Sequence, residues 1–242
     1  MPFTRLGDVV ESIYLRGQDR AKASYRPFNN GDAQNPPLLR PRGVNRILIF
    51  PGSFNPPHQG HLDLLRHVFE NAGEDLHIIA AIAIMTDDER LAVKLSTEAN
   101  PLILPREQRV NLWRGAGIPV DWVWIYDRSE ASWSDFRAEL TGNLRKRGME
   151  LKFILLGGPD NLGTDGIPDP HYWNCPDVVT GDISRPVNFR YAHSLRQLPG
   201  CEAWKKPTID RGQLMRQIEA KMRGQPVEEA SQTQRYGPLR PK

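Results

Sequence analysis

Cysteine is almost missing from this 242-residue chain: Cys175 and Cys201 are the only two. They lack C-x-x-C spacing and a neighbouring run of histidines, so neither a disulfide framework nor a zinc site is signalled, and two reduced thiols suit the cytosol or nucleus. Long hydrophobic runs are missing too. The longest, Leu76 to Met85, is interrupted by His77 and falls far short of the roughly 20 residues that span a bilayer. It reads as a buried strand, and no membrane partner is expected. The opening stretch MPFTRLGDVVESIYLRG mixes acids and arginines with its apolar residues and does not resemble a secretory signal. An excess of one charge is also lacking, since 32 basic against 29 acidic side chains leave +3. That is too mild to imply nucleic acid, although a phosphate-binding cleft could draw on it.

What is present is the composition of one globular α/β domain with extra segments at its ends, 39% hydrophobic and 25% charged. Residues 1–44 carry a short amphipathic helix, Leu6 to Leu15, and then an irregular arm rich in Asn, Pro, Arg and Gly. Residues 45–205 alternate regularly. Apolar runs at 46–50, 76–85, 120–126, 151–156 and 177–180 predict strands, and the segments 60–71, 106–116 and 132–146 predict helices. Strand, helix, strand is the unit of a parallel sheet, and strands apolar on both sides suit a sheet covered by helices on both faces. The expectation is a doubly wound parallel sheet of about five strands. Residues 206–242 hold one amphipathic helix, Arg211 to Met222, and a polar tail.

Two strand ends carry the chemistry. After Ile47–Phe50 comes Pro51-Gly52-Ser53-Phe54-Asn55-Pro56-Pro57-His58-Gln59-Gly60-His61. A turn poor in side chains lets backbone N–H groups approach an anion, and the helix that follows adds its positive end. Asn55 and the two prolines fit a rigid, capped entry to that helix. His58 and His61, three apart, share a face, and Gly60 keeps that face open. After Phe153–Leu156 comes Gly157-Gly158-Pro159-Asp160, again a strand running into glycines. In open α/β sheets ligands bind beyond such carboxyl ends.

These residues resemble the (T/S)xxxHxGH signature of the nucleotidyltransferase superfamily, whose members share a Rossmann-like α/β fold, and GSFNPPHQGH is most similar to its nicotinamide- or nicotinate-mononucleotide adenylyltransferase branch. The resemblance implies ATP and a pyridine mononucleotide as substrates, Mg2+ entering with the ATP, and no tightly bound cofactor. It implies that His58 and His61 act on the ATP phosphates, with Gly52, Ser53, Phe54 and Gly60 lining the nucleotide pocket and Asn55 on the mononucleotide side. The second site is similar to the family's GxDxL stretch, which makes Gly157 and Asp160 nucleotide-pocket residues, Asp160 as an acceptor for ribose or amide donors. Trp133, before a helix, is the aromatic expected against the pyridine ring, whereas Trp122 and Trp124 alternate within an apolar run and read as core. Arg106, Arg109 and Lys94 read more naturally as solvated charges.

The resemblance breaks near the C-terminus. Where the family carries an ISSTxxR-like motif, this chain has Asp182-Ile183-Ser184-Arg185-Pro186-Val187-Asn188-Phe189-Arg190. Proline disfavours helix at Arg185, and Arg185 or Arg190 is left to grip the triphosphate. Two other readings therefore stay open: a cytidylyl or phosphopantetheine type of nucleotidyltransferase, and a non-catalytic nucleotide-binding homologue. A class I aminoacyl-tRNA synthetase shares an HxGH loop, but Lys94-Leu95-Ser96-Thr97 lies on the wrong side of the central strands and the chain is too short. Homo-oligomer formation and the choice between amide and acid are not legible.

Overall fold

The computed structural model describes residues 4–18, 25–72, 76–115, 117–159, 170–175, 177–183, 185–198 and 202–204. In chain order the elements are β1 (Thr4–Arg5), α1 (Leu6–Tyr14), β2 (Leu38–Leu39), β3 (Val44–Gly52), α2 (Gln59–Asn71), β4 (Ile78–Met85), α3 (Asp88–Lys94), α4 (Arg106–Gly115), β5 (Val123–Tyr126), α5 (Trp133–Lys146), β6 (Glu150–Leu156), α6 (Pro170–Trp173) and β7 (Asp177–Val179). β1 and β2 form a small antiparallel pair, and the other five strands form one parallel sheet in the order β5-β4-β3-β6-β7. This is the expected α/β sheet of five strands. The order reverses at β3, where β4 and β6 lie on opposite sides, so the switch point falls beside the end of β3.

Period-two alternation sends each strand's side chains to both faces. Ile47, Ile49, Ile82, Ile84, Trp124, Tyr126, Phe153 and Leu155 join one buried cluster, and Leu48, Phe50, Ala81, Ala83, Val123, Ile125, Ile154 and Leu156 join the other. α2 and α4 cover the second face through Leu62, Leu65, Val68, Val110 and Trp113. α5 covers the first through Phe136, Leu140 and Leu144.

α1 also belongs to the first face. Leu6, Val9, Val10 and Ile13 recur at helical spacing, and all are buried with Phe28 and Leu39 in the cluster that holds the sheet. Tyr14 meets Trp124 edge-on at 4.8 Å and Phe136 at 5.9 Å. Glu11, buried in α1, ties the following loop to it by accepting from Arg26 Nη2 and Asn30 Nδ2, each at 2.9 Å. α1, with Phe28 and Leu39, is thus a layer of the core.

Element ends moved for local reasons. β5 begins at Val123 rather than Val120 because Trp122 and Val123 donate back to Pro119 O at 3.1 and 3.0 Å, closing a turn. β4 begins after His77, whose φ of 40° lies in the left-handed region. Trp124 is core and Trp122 stacks on Phe69 at 3.7 Å, as their alternation implied. Cys175 is buried, which pushes its thiol up to about 12. Cys201 and the Arg211–Met222 helix lie outside the described residues. Among those residues no helix is long and apolar enough to cross a membrane.

Candidate active site

Beyond Gly52 the chain leaves β3 in a turn laid over an aromatic base. Phe54 has φ 45° and a buried ring, which packs edge-on against Phe50, Trp113 and His61 at 5.0–5.1 Å. A Cβ on Gly52 would come within 2.8–3.0 Å of that ring. Glycine is therefore required here by the aromatic ring packed against it.

The turn is fastened from behind by Arg109, a fully buried side chain of α4. Its Nη1 donates to Ser53 O at 2.6 Å, its Nη2 to Thr86 O at 2.8 Å and Asp88 Oδ1 at 2.6 Å, and its Nε to Leu104 O at 2.9 Å. Asn55 makes a second fastening, donating to Leu102 O at 2.6 Å and accepting from Leu104 N at 2.9 Å. Thr86 N donates to Gly52 O at 3.0 Å, closing the ends of β3 and β4 onto each other. Arg109 is thus a structural cation and not the solvated charge its position in the sequence suggests. Arg106 pairs with Asp87 at 3.1 Å.

His58 caps α2 and His61 sits three residues on, with the two rings stacked at 3.6 Å. The His58 N–H donates to His61 Nδ1 at 3.2 Å, and the His61 N–H donates to His58 O at 3.0 Å. With Nδ1 an acceptor, the neutral His61 ring carries its proton on Nε2 and presents a donor there. The first-turn N–H groups of Gln59 and Gly60 have no partner within the helix and add the positive end of the helix dipole.

These groups open on a cavity of about 690 Å³ that spans the carboxyl ends of β3, β4 and β6. Of the residues expected in a site, Gly52, Ser53, Phe54, Asn55, His58, Gly60, His61, Gly157 and Arg185 all line it. Asp160 lies outside the described residues. Two expectations need correction. Trp133 is 3% exposed and packs among Tyr126, Phe136 and Phe153 in the first-face core, because the residue that opens α5 turns toward the sheet. Arg190 is outside the lining and pairs on the surface with Asp182.

A family model described as cytidylyltransferase-like matches residues 49–161. A probable nicotinate-nucleotide adenylyltransferase from Caulobacter sp. (strain K31) is 33% identical over 147 residues, covering 58% of this chain and 69% of that protein. This chain belongs to the nucleotidyltransferase family. Its resemblance is to the pyridine-mononucleotide adenylyltransferase branch. Among solved structures, nicotinic acid mononucleotide adenylyltransferase from Plasmodium falciparum, complexed with NaAD, aligns at 12% identity with a TM-score of 0.34, covering 56% of this chain and 73% of that one. That likeness is too loose to bear on the site.

Four wall residues of this nucleotidyltransferase were not singled out by sequence or were set aside. Lys94 ends α3 and its Nζ donates to Ser53 Oγ at 3.2 Å. The sequence predicts no helix here, because α3 buries only Leu91 and so shows no apolar stripe. Arg90, on the same helix, pairs with buried Glu130 at 2.5 Å, a bond that raises the guanidinium pKa above its ordinary value. Trp173 of α6 lines the cavity, as Trp133 does not. Glu130 is the one carboxylate among the described lining residues, against Arg90, Lys94 and Arg185. Such a wall, joined to a helix N-terminus, suits a polyphosphate.

Proposed function

We propose that this nucleotidyltransferase joins ATP to a pyridine mononucleotide, yielding a dinucleotide and pyrophosphate. The observation that carries the reading is the pinned Gly52–Ser53 turn, with Lys94 bonded to Ser53 Oγ, and the His58–His61 stack at the α2 N-terminus, all lining one cavity. A phosphate oxygen of the mononucleotide attacks the ATP α-phosphorus in line. The new P–O bond forms as the bond to the bridging oxygen of the β-phosphate breaks, and pyrophosphate leaves with that oxygen. No protein nucleophile is needed, so catalysis is positioning plus stabilisation of charge on the phosphoryl oxygens.

His61 Nε2–H and the first-turn amides of α2 meet the α-phosphate. Lys94 and Arg185 hold the departing phosphates, and the Gly157–Gly158 edge beyond β6 leaves room for the nucleoside. Among the described residues no group of three His, Cys, Asp or Glu side chains could hold a metal ion, and Glu130 is engaged by Arg90. Mg2+ would be brought by the ATP phosphates and would offset their charge.

The test is pyrophosphate release with ATP, Mg2+ and either nicotinate or nicotinamide mononucleotide. Turnover with one of them supports the reading. ATP binding by calorimetry with no turnover on either would support the non-catalytic homologue, and turnover with CTP or phosphopantetheine instead would support a different transferase.

A further inference from the structure

The cavity has a second polar centre, set apart from the phosphate turn. Asp87, at the head of α3, accepts from Ser129 Oγ through Oδ2 and from Glu130 N at 3.3 Å through Oδ1. This ties the segment after β5 against α3 and brings the buried Glu130 carboxylate to Arg90. Arg90 donates through Nη1 to Glu130 Oε1 at 2.5 Å and to Tyr172 Oη at 3.1 Å, with its guanidinium carbon 5.1 Å from the Tyr172 ring centre. Among the described residues Glu130 Oε2 accepts no hydrogen bond, and Arg90 Nη2 and Nε donate none. Both residues, and Trp173 beside Tyr172, line the cavity.

We propose that the Arg90–Glu130 pair reads the substituent on the pyridine ring of the mononucleotide and selects the carboxamide over the carboxylate. The inference rests on the adenylyl-transfer reading above. A carboxamide carries an N–H donor and a C=O acceptor on one carbon, which matches a carboxylate oxygen beside a guanidinium N–H. Both hydrogen bonds form with neither member of the ion pair displaced. A carboxylate has acceptors only. It must face Glu130 Oε2 with a like charge in a site partly withdrawn from water, or compete with Glu130 for Arg90. The ring itself lies against Trp173. The Arg–Glu pair is thus balanced for a neutral group, while Lys94 and Arg185 serve the phosphates.

The experiment compares kcat/KM for nicotinamide and nicotinate mononucleotides, with ATP and Mg2+, on the full chain and on Glu130→Gln. Dissociation constants for the two mononucleotides are measured alongside by titration calorimetry. The wild-type chain is expected to favour the amide by about tenfold or more, and Glu130→Gln to move the ratio about tenfold toward the acid, because Arg90 is then an unpaired cation. A wild-type preference for the acid in both turnover and binding overturns the proposal. An unchanged ratio in a folded Glu130→Gln overturns it as well. Amide-selective binding without turnover keeps this proposal and sinks the reaction, whereas turnover with acid preference does the reverse. The wild-type ratio decides the matter even if the variant fails to fold.

Discussion

The two segments that frame the cavity are built to different standards. The turn after β3 is held by Arg109 and Asn55 through six hydrogen bonds and rests on the rings of Phe54, Phe50 and Trp113. The segment after β7, which brings Arg185 to the opposite wall, is supported by a small satellite cluster of Val187, Phe189 and Leu198 and by the surface pair of Arg190 with Asp182. The first is fixed before any ligand arrives, as charge stabilisation in a transition state demands. Among its described residues the second buries only Val187, Phe189 and Leu198, and a small core is the physical basis of low local stability. On the proposed reaction, chemistry falls to the fixed side and retention of substrate to the looser one.

Arg109→Ala would break the contrast outright. It leaves the carbonyls of Ser53, Thr86 and Leu104 without their donor, and should cost about 3 kcal/mol or more of folding stability at about 1 kcal/mol or more per orphaned group. Urea unfolding measures this, and a loss below 1 kcal/mol would show the turn to be self-supporting. His61→Ala keeps the fold but removes the Nε2 donor. The expected loss is a hundredfold or more in kcat/KM, about 2–4 kcal/mol at the transition state, and an unaffected rate would sink the mechanism.

Gly52→Ala is subtler, since the added methyl must push the Phe54 ring aside at about 1–3 kcal/mol. A melting curve paired with kcat should show stability and rate falling together. The smallest effects belong to the looser side. Arg185→Ala should raise the KM for ATP by about tenfold with kcat little changed, the mark of an interaction held equally in ground and transition states. Arg190→Ala removes an exposed ion pair, worth about 1 kcal/mol or less, and should leave both constants alone. If Arg190 rather than Arg185 changes KM, the roles given to the two arginines are reversed.

Much of this fold can be read along the chain because its determinants are local. Apolar strands announce the sheet, and the contiguous run from Gly52 to His61 announces the site. What stays hidden depends on partners distant in sequence. Arg109 looks like any helix arginine until three carbonyls from three segments converge on it. Glu130 and Arg90 are 40 residues apart, and neither sits in a recognisable string. Trp133 misleads for a related reason: its polar neighbours suggest a wet loop, yet the first residue of α5 faces the sheet. α1 announces itself as a helix, but nothing within residues 1–44 says what its apolar stripe covers.

The position of α1 bears on how the molecule is made. Tyr14 finds its partners in Trp124, Asp127 and Phe136, more than a hundred positions later. During synthesis α1 therefore waits with its greasy side uncovered until the residues that cover it, more than a hundred positions further on, have followed. Final assembly of that face is a late event, and the waiting stretch is a natural stop for a chaperone.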